Sequence, residues 1–593
     1  MVWQQEQRLS YENFLEKRQF VLFLFAGLFI FLILNLLRLQ ILRGNYYKQL
    51  SEKQKTHIVI EHAPRGEILD CRNEPLVSNK TAFVALFYPF SQNTTPPDEL
   101  LDKLSYLFED KKIAIKIIHG WKTGQIVRLA ENLSREDMFK IQEQRLVLSG
   151  ISVVEESRRD YHMAEANSHL IGYLNEVTKD ELESLKHEGY KIGDWIGRRG
   201  LEKAYEGVLH GKDGGWEIEV DAQGRQTRLV RHVPPVIGNN IYTTIDGHLQ
   251  QIAYDAIMKT PTQKGAVIGI DPRNGAIRIL VSCPGYDPGL SLTREFGQYL
   301  VDDNLPLFNR AVQGLYPPGS IFKIVTFSGA LNENIITPDK TFAPCTGAFT
   351  LGTKIFKCWD KKGHGILNLT DALAKSCDVY FYQLGLKIGE KVIVDYARKF
   401  RLDKPTGIEL PSEKTGFVPS PEWKKEKLNQ QWTAGDTVNM AIGQGSLWIT
   451  PMQIAVMMSA VANRGTFYQP FIVDRIESQE EDVLYRSSVI KKGEVQLRPE
   501  VWDSLHEALK KVVREGTGQA CKIKDFDVSG KTGTAQNPQG DDHAWFGAYA
   551  PSDNPELALV VLVEHGGHGA AVSVPIAKEI FKAAFPKETE SDK

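Results

Sequence analysis

Eighteen consecutive residues, Phe20 to Leu37 (FVLFLFAGLFIFLILNLL), carry no charge, and Asn35 is their only strongly polar side chain. As a helix the run is about 27 Å long, close to the hydrocarbon thickness of a bilayer. Arg38, Leu39, Gln40 and Ile41 follow it where a cleavable signal would place small residues, so the reading is an uncleaved transmembrane anchor at 20–37 behind a short segment, 1–19. Arg8, Lys17 and Arg18 precede the span, and Arg38, Arg43, Lys48, Lys53 and Lys55 follow it, so charge asymmetry does not orient it. The mean hydropathy of the whole chain is -0.28, which excludes further spans in number. Lys and Arg total 71 against 74 Asp and Glu, a net charge of -3 that leaves no global positive field for a nucleic-acid backbone.

Beyond the anchor, residues 53–236 mix short β-branched strands with charged helices and Gly or Pro breaks. APRGEILDCRNEPLVSN (63–79) alternates about a DCRNE turn as a strand and hairpin do. In GRRGLEKAYEGVLHGKDGGW, Leu201, Tyr205, Val208 and Leu209 recur at helical spacing until Gly211, Gly214 and Gly215 stop the helix. The segment from Val233 to Asn240, with two prolines and a glycine, is the predicted linker. A second domain, 239–585, then opens with an amphipathic helix (246–258) and strands at 266–271 and 276–282. It closes with strands near Val528, 544–549 and 557–564, a helix at 575–584 and a tail, 586–593. Strands at both ends with helices between predict an α/β unit whose single sheet is assembled from distant parts of the chain.

Three short elements carry the candidate chemistry. In YPPGSIFK a turn is followed by Ser320, with Lys323 three residues later; a helix beginning at the serine puts both on one face, where a desolvated amine can take the hydroxyl proton. Ser376-Cys377-Asp378 follows an amphipathic helix (367–375) and offers a hydroxyl relay. In VSGKTGTA, Lys531, Thr532 and Thr534 offer a cation and hydroxyls to a carboxylate, while Gly533 lets a substrate backbone lie alongside. Each element alone has a bland reading, a loop cap for Ser376 or a solvated edge lysine for Lys531. Their order, with spacings of 56 and 155 residues, resembles the signature set of penicillin-binding proteins and serine β-lactamases.

The resemblance extends along nearly the whole chain. Residues 63–73 and GLEKAYEGVLHGKDG resemble the non-catalytic, dimerisation-like pedestal of class B penicillin-binding proteins. TTIDGHLQQIA, SCPGYDPG, NRAVQGLYPPGSIFK, NMAIGQGSLWITPMQIA, GKTGTAQ and HAWFGAYAP resemble successive transpeptidase blocks. Asp378 in place of Asn, together with KCWDKKGHG, is similar to the elongation-type branch. This implies a central antiparallel sheet with helices, and a periplasmic catalytic domain held on the inner membrane with the N-terminus cytoplasmic. It also implies a D,D-transpeptidase that needs no cofactor for its chemistry. The implied roles are Ser320 as nucleophile, Lys323 as base, Ser376 and Asp378 as relay, and Lys531, Thr532 and Thr534 as carboxylate binders, with Ser320 and Thr534 N–H as oxyanion hole. The implied partners are pentapeptide stems of peptidoglycan, β-lactams as inhibitors and a RodA-type SEDS glycosyltransferase. The alternatives are a non-catalytic activator of that polymerase, or a membrane-anchored β-lactamase or D,D-carboxypeptidase.

Of six cysteines, Cys345, Cys358 and Cys377 share 33 residues with His364 in the pattern C-x12-C-x5-H-x12-C. Three thiols cannot all pair among themselves, whereas three thiolates and an imidazole complete a tetrahedral Zn²⁺ shell. A structural zinc is therefore expected at these four residues, with a disulfide between two of them as the alternative. Glu564-His-Gly-Gly-His568 reads as a glycine-rich turn rather than a metal site. Cys71, Cys283 and Cys521 read as isolated thiols.

Overall fold

The structure is a computed structural model that describes residues 2–47, 56–87, 98, 101, 111–123, 127–144, 148, 150–185, 187, 189–191, 193–220, 226–537 and 540–586. Lys53, where the pedestal is expected to begin, and tail residues 587–593 lie outside the described residues.

The apolar run sits in a helix, Val2–Leu37, continued by a π-turn to Leu42. Phe20–Leu42 has a mean hydropathy of 2.9 and is not buried by protein at all. The span is thus five residues longer than the charge-free run, because Arg38 and Gln40 continue the helix.

The chain divides into two compact units. The first comprises 1–63, 81–157 and 212–236. It holds the apolar helix and an antiparallel sheet of Thr56–Glu61, Gly214–Val220 and Gln226–Val233. It also holds a small core in which Ile113 and Ile117 of one helix pack with Phe87, Leu129 and Ile141.

The second unit comprises 64–80, 158–211 and 237–593. The first unit ends at Val236, inside the predicted Val233–Asn240 linker, but two stretches read as pedestal, 64–80 and 158–211, cluster with the catalytic region. Strand pairing and side-chain bonds hold them there, for Ile68–Leu69 pairs in parallel with Ile241–Tyr242, Tyr254 OH donates to Glu165 and Tyr286 OH to the Ser168 carbonyl, while a buried ion network joins the two stretches to each other. Glu202, fully buried, accepts from Arg65 at 2.7 Å and from Arg159 at 2.9 Å, and Arg65 also donates to Glu206 at 2.8 Å. Gly66 packs so closely that a Cβ there would lie 1.8 Å from the Asn239 carbonyl oxygen. The APRGEIL and GLEKAYEG segments meet through these contacts.

The main sheet of this unit is built from β1 (Gly265–Ile270), β2 (Ile277–Cys283), β3 (Ser529–Ala535), β4 (His543–Ala550) and β5 (Leu557–Val563) in the order β2-β1-β5-β4-β3, every pairing antiparallel. Every residue of β1, β4 and β5 is buried, so their near-continuous apolar sequence serves two cores. Ile268, Leu280, Val560 and Leu562 face helices Lys323–Asn332, Pro451–Ala462 and Pro499–Arg514. Val267, Val281 and Val561 face Gly247–Met258 and Ser573–Ala584. The sheet does join residues some 250 positions apart, as the strand pattern predicted. β3 is its edge, and β3 carries the KTGT residues.

Candidate active site

Ser320 lies in a 3-10 turn, Gly319–Phe322, and the α-helix starts only at Lys323, three residues later than the sequence pattern suggests. The turn is tight because Gly319 is left-handed (φ 54°), and a Cβ there would lie 2.6 Å from the Thr534 carbonyl oxygen. Gly319 N–H also donates to the Gly443 carbonyl, and a Cβ on Gly443 would sit 2.2 Å from the Gly319 oxygen. The IGQG segment is therefore the buttress that presses the nucleophile turn onto β3, and Gln444 Nε2 adds a bond to the Thr534 carbonyl at 3.4 Å. Sequence reading recognised that block without giving it a role.

Lys323 is fully buried. Its Nζ donates to Asp378 Oδ1 at 2.7 Å, Ser376 O at 2.9 Å and Ser376 Oγ at 3.3 Å. Among the described residues Ser320 Oγ makes no hydrogen bond, so the amine is turned toward the Ser376 loop rather than the nucleophile. That loop is itself constrained. Ser376 is left-handed (φ 53°), a conformation costing about 1–3 kcal/mol that persists only where surroundings enforce it. The enforcement comes from Gly516, whose missing Cβ would lie 2.1 Å from the Ala374 oxygen, and from Lys511, paired with Asp371 at 2.6 Å.

Lys531, also fully buried, donates to its neighbour's carbonyl, Thr532 O, at 2.9 Å. Burial, and then the charge of Lys323, hold its amine well below the ordinary lysine range, with Asp378 opposing. Asp378 pairs directly with Lys323, while among the described residues Lys531 has only the Thr532 backbone carbonyl and hydroxyl as its partners. Thr532 Oγ1 lies 2.5 Å from Thr517 Oγ1, and Thr534 Oγ1 accepts from Gly569 N–H at 3.5 Å. A Cβ on Gly533 would lie 2.9 Å from the Cβ of Trp545, so glycine is required for this strand to pack.

The EHGGH segment is a structural turn, as read, and its acid has a definite task. Glu564 accepts from Tyr316 OH at 2.5 Å and pairs with the buried Arg310 at 3.0 Å, tying β5 to the start of the nucleophile turn.

All six cysteines are free thiols, so the disulfide alternative is not the one this structure adopts. Instead, one ligand atom from each of Cys345, Cys358, His364 and Cys377 lies within 4.8 Å of the others. His364 Nδ1 is 3.7 Å from Cys345 Sγ and 3.6 Å from Cys358 Sγ. Standard Zn–S and Zn–N lengths give a tetrahedral S···N edge of about 3.6 Å, which the two edges from His364 to Cys345 and Cys358 match. The other ring nitrogen, Nε2, is buried with no partner among the described residues, which leaves Nδ1 as the working donor.

Trp359, next to Cys358, was not singled out by the sequence. Its backbone N–H donates to Asp378 Oδ2 at 3.0 Å, its indole N–H to Lys375 O at 3.1 Å, and its ring lies 5.3 Å from that of His364. The cysteine cluster thus reaches the partner of Lys323 through one residue.

The profile of the penicillin binding protein transpeptidase domain matches residues 265–582, and that of the penicillin-binding protein dimerisation domain matches 60–243. The peptidoglycan D,D-transpeptidase MrdA of Salmonella typhimurium is 31% identical over 595 residues, covering 94% of each chain. That of Acinetobacter baumannii is 31% identical, covering 92% of this chain and 83% of its own. Among solved structures, penicillin-binding protein 2 of Helicobacter pylori in complex with MreC superposes with a TM-score of 0.75 at 26% identity, covering 89% of this chain and 98% of that one. A chain described under the structural coordination of polymerization and crosslinking by a peptidoglycan synthase complex gives 0.73 at 28% identity, covering 97% and 99%. With both domains matched in order and the serine, lysine and KTG elements gathered on one sheet edge, the chain belongs to the class B penicillin-binding proteins, in the penicillin-binding protein 2 branch.

Proposed function

We propose that the protein is a membrane-anchored peptidoglycan D,D-transpeptidase of the elongation type, anchored once in the inner membrane by Phe20–Leu42 with its catalytic unit in the periplasm. The observation that carries this reading is the convergence of Ser376 and Asp378 on the Lys323 amine, each within 3.3 Å of it, beside the Ser320 turn and β3. Ser320 Oγ attacks the carbonyl of the penultimate D-Ala, its proton passing to the Lys323 amine. The C–N bond then breaks, Ser376 delivers the proton to the leaving D-Ala amine, and an acyl-enzyme remains. The amine of a neighbouring stem attacks that ester, returns the proton to Ser320 and forms the cross-link. Lys531, Thr532 and Thr534 bind the terminal carboxylate. The N–H groups of Ser320 and Thr534 stabilise the oxyanion, each donor contributing about 3 kcal/mol, and the wedging of Gly319 against Thr534 supports their adjacency.

Cys345, Cys358, His364 and Cys377 hold a structural zinc, which supplies no step of the chemistry and ties the 345–364 segment to the Ser376 loop. The polymerase partner is a RodA-type SEDS glycosyltransferase, a reading supported by the solved synthase complex to which the chain is similar. Fluorescent penicillin is expected to label the protein at one site, and Ser320→Ala to abolish labelling. Undiminished labelling of that variant refutes the assignment. Persistence of the adduct for hours separates a transpeptidase from a β-lactamase.

A further inference from the structure

Lined by none of the catalytic residues, a cavity of about 480 Å³ in the second unit is bordered by Arg198, Arg199, Lys203, Tyr286, Tyr299 and Asn309 among others. That volume suits a ligand of a few hundred daltons. Its charge is one-sided, for among the described residues three permanent cations line it and no Asp or Glu does. Arg198 is neutralised from outside by Glu181 at 2.5 Å. Arg199 is not, because its Nη1 donates to the Leu307 carbonyl at 2.5 Å, and among the described residues no carboxylate pairs with it or with Lys203. A partly buried guanidinium facing a cavity without a counter-ion is costly unless an anion visits it.

The frame that presents Arg199 is rigid. Gly172 (φ 84°) and Gly200 (φ 58°) approach so closely that a Cβ on Gly172 would lie 1.9 Å from the Arg199 oxygen, and one on Gly200 2.4 Å from the Ile171 carbonyl. Backbone and guanidinium are therefore both fixed before any ligand arrives, which lowers the cost of binding. The opposite wall is polar and equally fixed. Asn309 Nδ2 donates to His169 O at 3.5 Å, Gln313 Nε2 to Ser412 O at 3.4 Å, and Asp287 N–H to Tyr299 OH at 3.2 Å. Asn309 and Gln313 also belong to the segment that runs into the nucleophile turn at Tyr316.

We propose that this cavity is a second, non-catalytic binding site for a carboxylate-bearing muropeptide, with Arg199 and Lys203 taking the carboxylate, Tyr299 and the exposed Leu300 the sugar or peptide body, and Asn309 and Gln313 its amides. The choice of a glycopeptide over a simple anion rests on the transpeptidase reading and on the mixed aromatic and amide wall. The test uses the full chain in detergent, first acylated at Ser320 with penicillin. Failure to acylate at all would count against the transpeptidase reading, and the binding assay is then run on the unmodified chain. The probe is N-acetylmuramyl-L-alanyl-D-glutamate, a carboxylate-bearing muropeptide of a few hundred daltons with no D-Ala-D-Ala to react, titrated by calorimetry, with N-acetylglucosamine and inorganic phosphate as separate arms.

Saturable binding that survives acylation, weakens with added salt and falls about tenfold or more in Arg199→Gln is the expected result. Because Arg199 also holds Leu307, the exposed Lys203→Glu provides an independent variant, expected to weaken binding severalfold while penicillin labelling is unchanged. Absence of binding to the acylated protein, equal binding by Lys203→Glu, or phosphate binding as tightly as the muropeptide overturns the proposal.

Discussion

Asp378 is the residue at which the geometry makes its sharpest demand. The site offers its carboxylate two donors, Lys323 Nζ at 2.7 Å on one oxygen and Trp359 N–H at 3.0 Å on the other. An amide cannot serve both, since its NH₂ must face one of them, donor to donor. Asp378→Asn therefore loses one hydrogen bond and, among the described residues, the one carboxylate paired with the fully buried Lys323 side chain. Removing one partner of a buried pair costs about 3–5 kcal/mol; the surviving amide bond places the Asn variant near the bottom of that range, about 3 kcal/mol, and Asp378→Ala near the top. For a unit of about 430 residues, 1 kcal/mol corresponds to about 1.1 °C in Tm, so the shifts are about 3 °C and 6 °C. Lys323 is positioned for proton transfer by the same bonds, and positioned acid-base groups contribute about 10²–10⁴ in rate. Acylation by fluorescent penicillin, followed by quenched time course, is expected to slow about 10²-fold for Asn and further for Ala. An Asn variant that melts within 1 °C of the unmodified protein and acylates within threefold of its rate would show that Asp378 does not hold the lysine.

The remaining expectations concern the supports of the site. Metal analysis of purified protein should find about one zinc per chain, and Cys358→Ser should remove it and lower Tm; zinc near zero in the unmodified protein ends that assignment. Glu202, buried between Arg65 and Arg159, should cost about 3 kcal/mol as Glu202→Gln, read as a fall in Tm, because two guanidinium groups then share a neutral oxygen. An unchanged Tm would mean the network is dispensable. Burial pushes the imidazole of His169 down to about 3, so between pH 6.5 and 3 the unfolded chain binds a proton that the folded chain excludes. Its stabilisation is therefore complete above pH 6.5 and is lost as pH falls, by roughly 2 kcal/mol between pH 6.5 and 5. Melting curves of His169→Gln should show a shallower acid slope; parallel slopes for the two proteins would contradict the assignment.

Much of this protein is written in local patterns. The apolar run, the Val233–Asn240 break, the strands at 265–283 and 529–563 and the three motif elements are all carried by residues near one another in the chain, where periodicity and turn chemistry act. Even the cysteine and histidine cluster was legible, because its four ligands fall within 33 residues. Other features required the fold. Residues 64–80 and 158–211 are tied to each other because Glu202 collects Arg65 and Arg159, and to the catalytic region because Ile68 pairs with Ile241 and Tyr254 bonds Glu165. Gly443 matters because it meets Gly319, and Trp359 because its N–H finds Asp378. The turn of Lys323 away from Ser320 toward Ser376 and Asp378, the unneutralised Arg199 and the depressed Lys531 are likewise invisible in sequence. Residue type, spacing and hydrophobic period determined which elements form and which chemistry they can carry. Tertiary packing decided which charges are buried together, because desolvation and pairing depend on distances that no local pattern encodes.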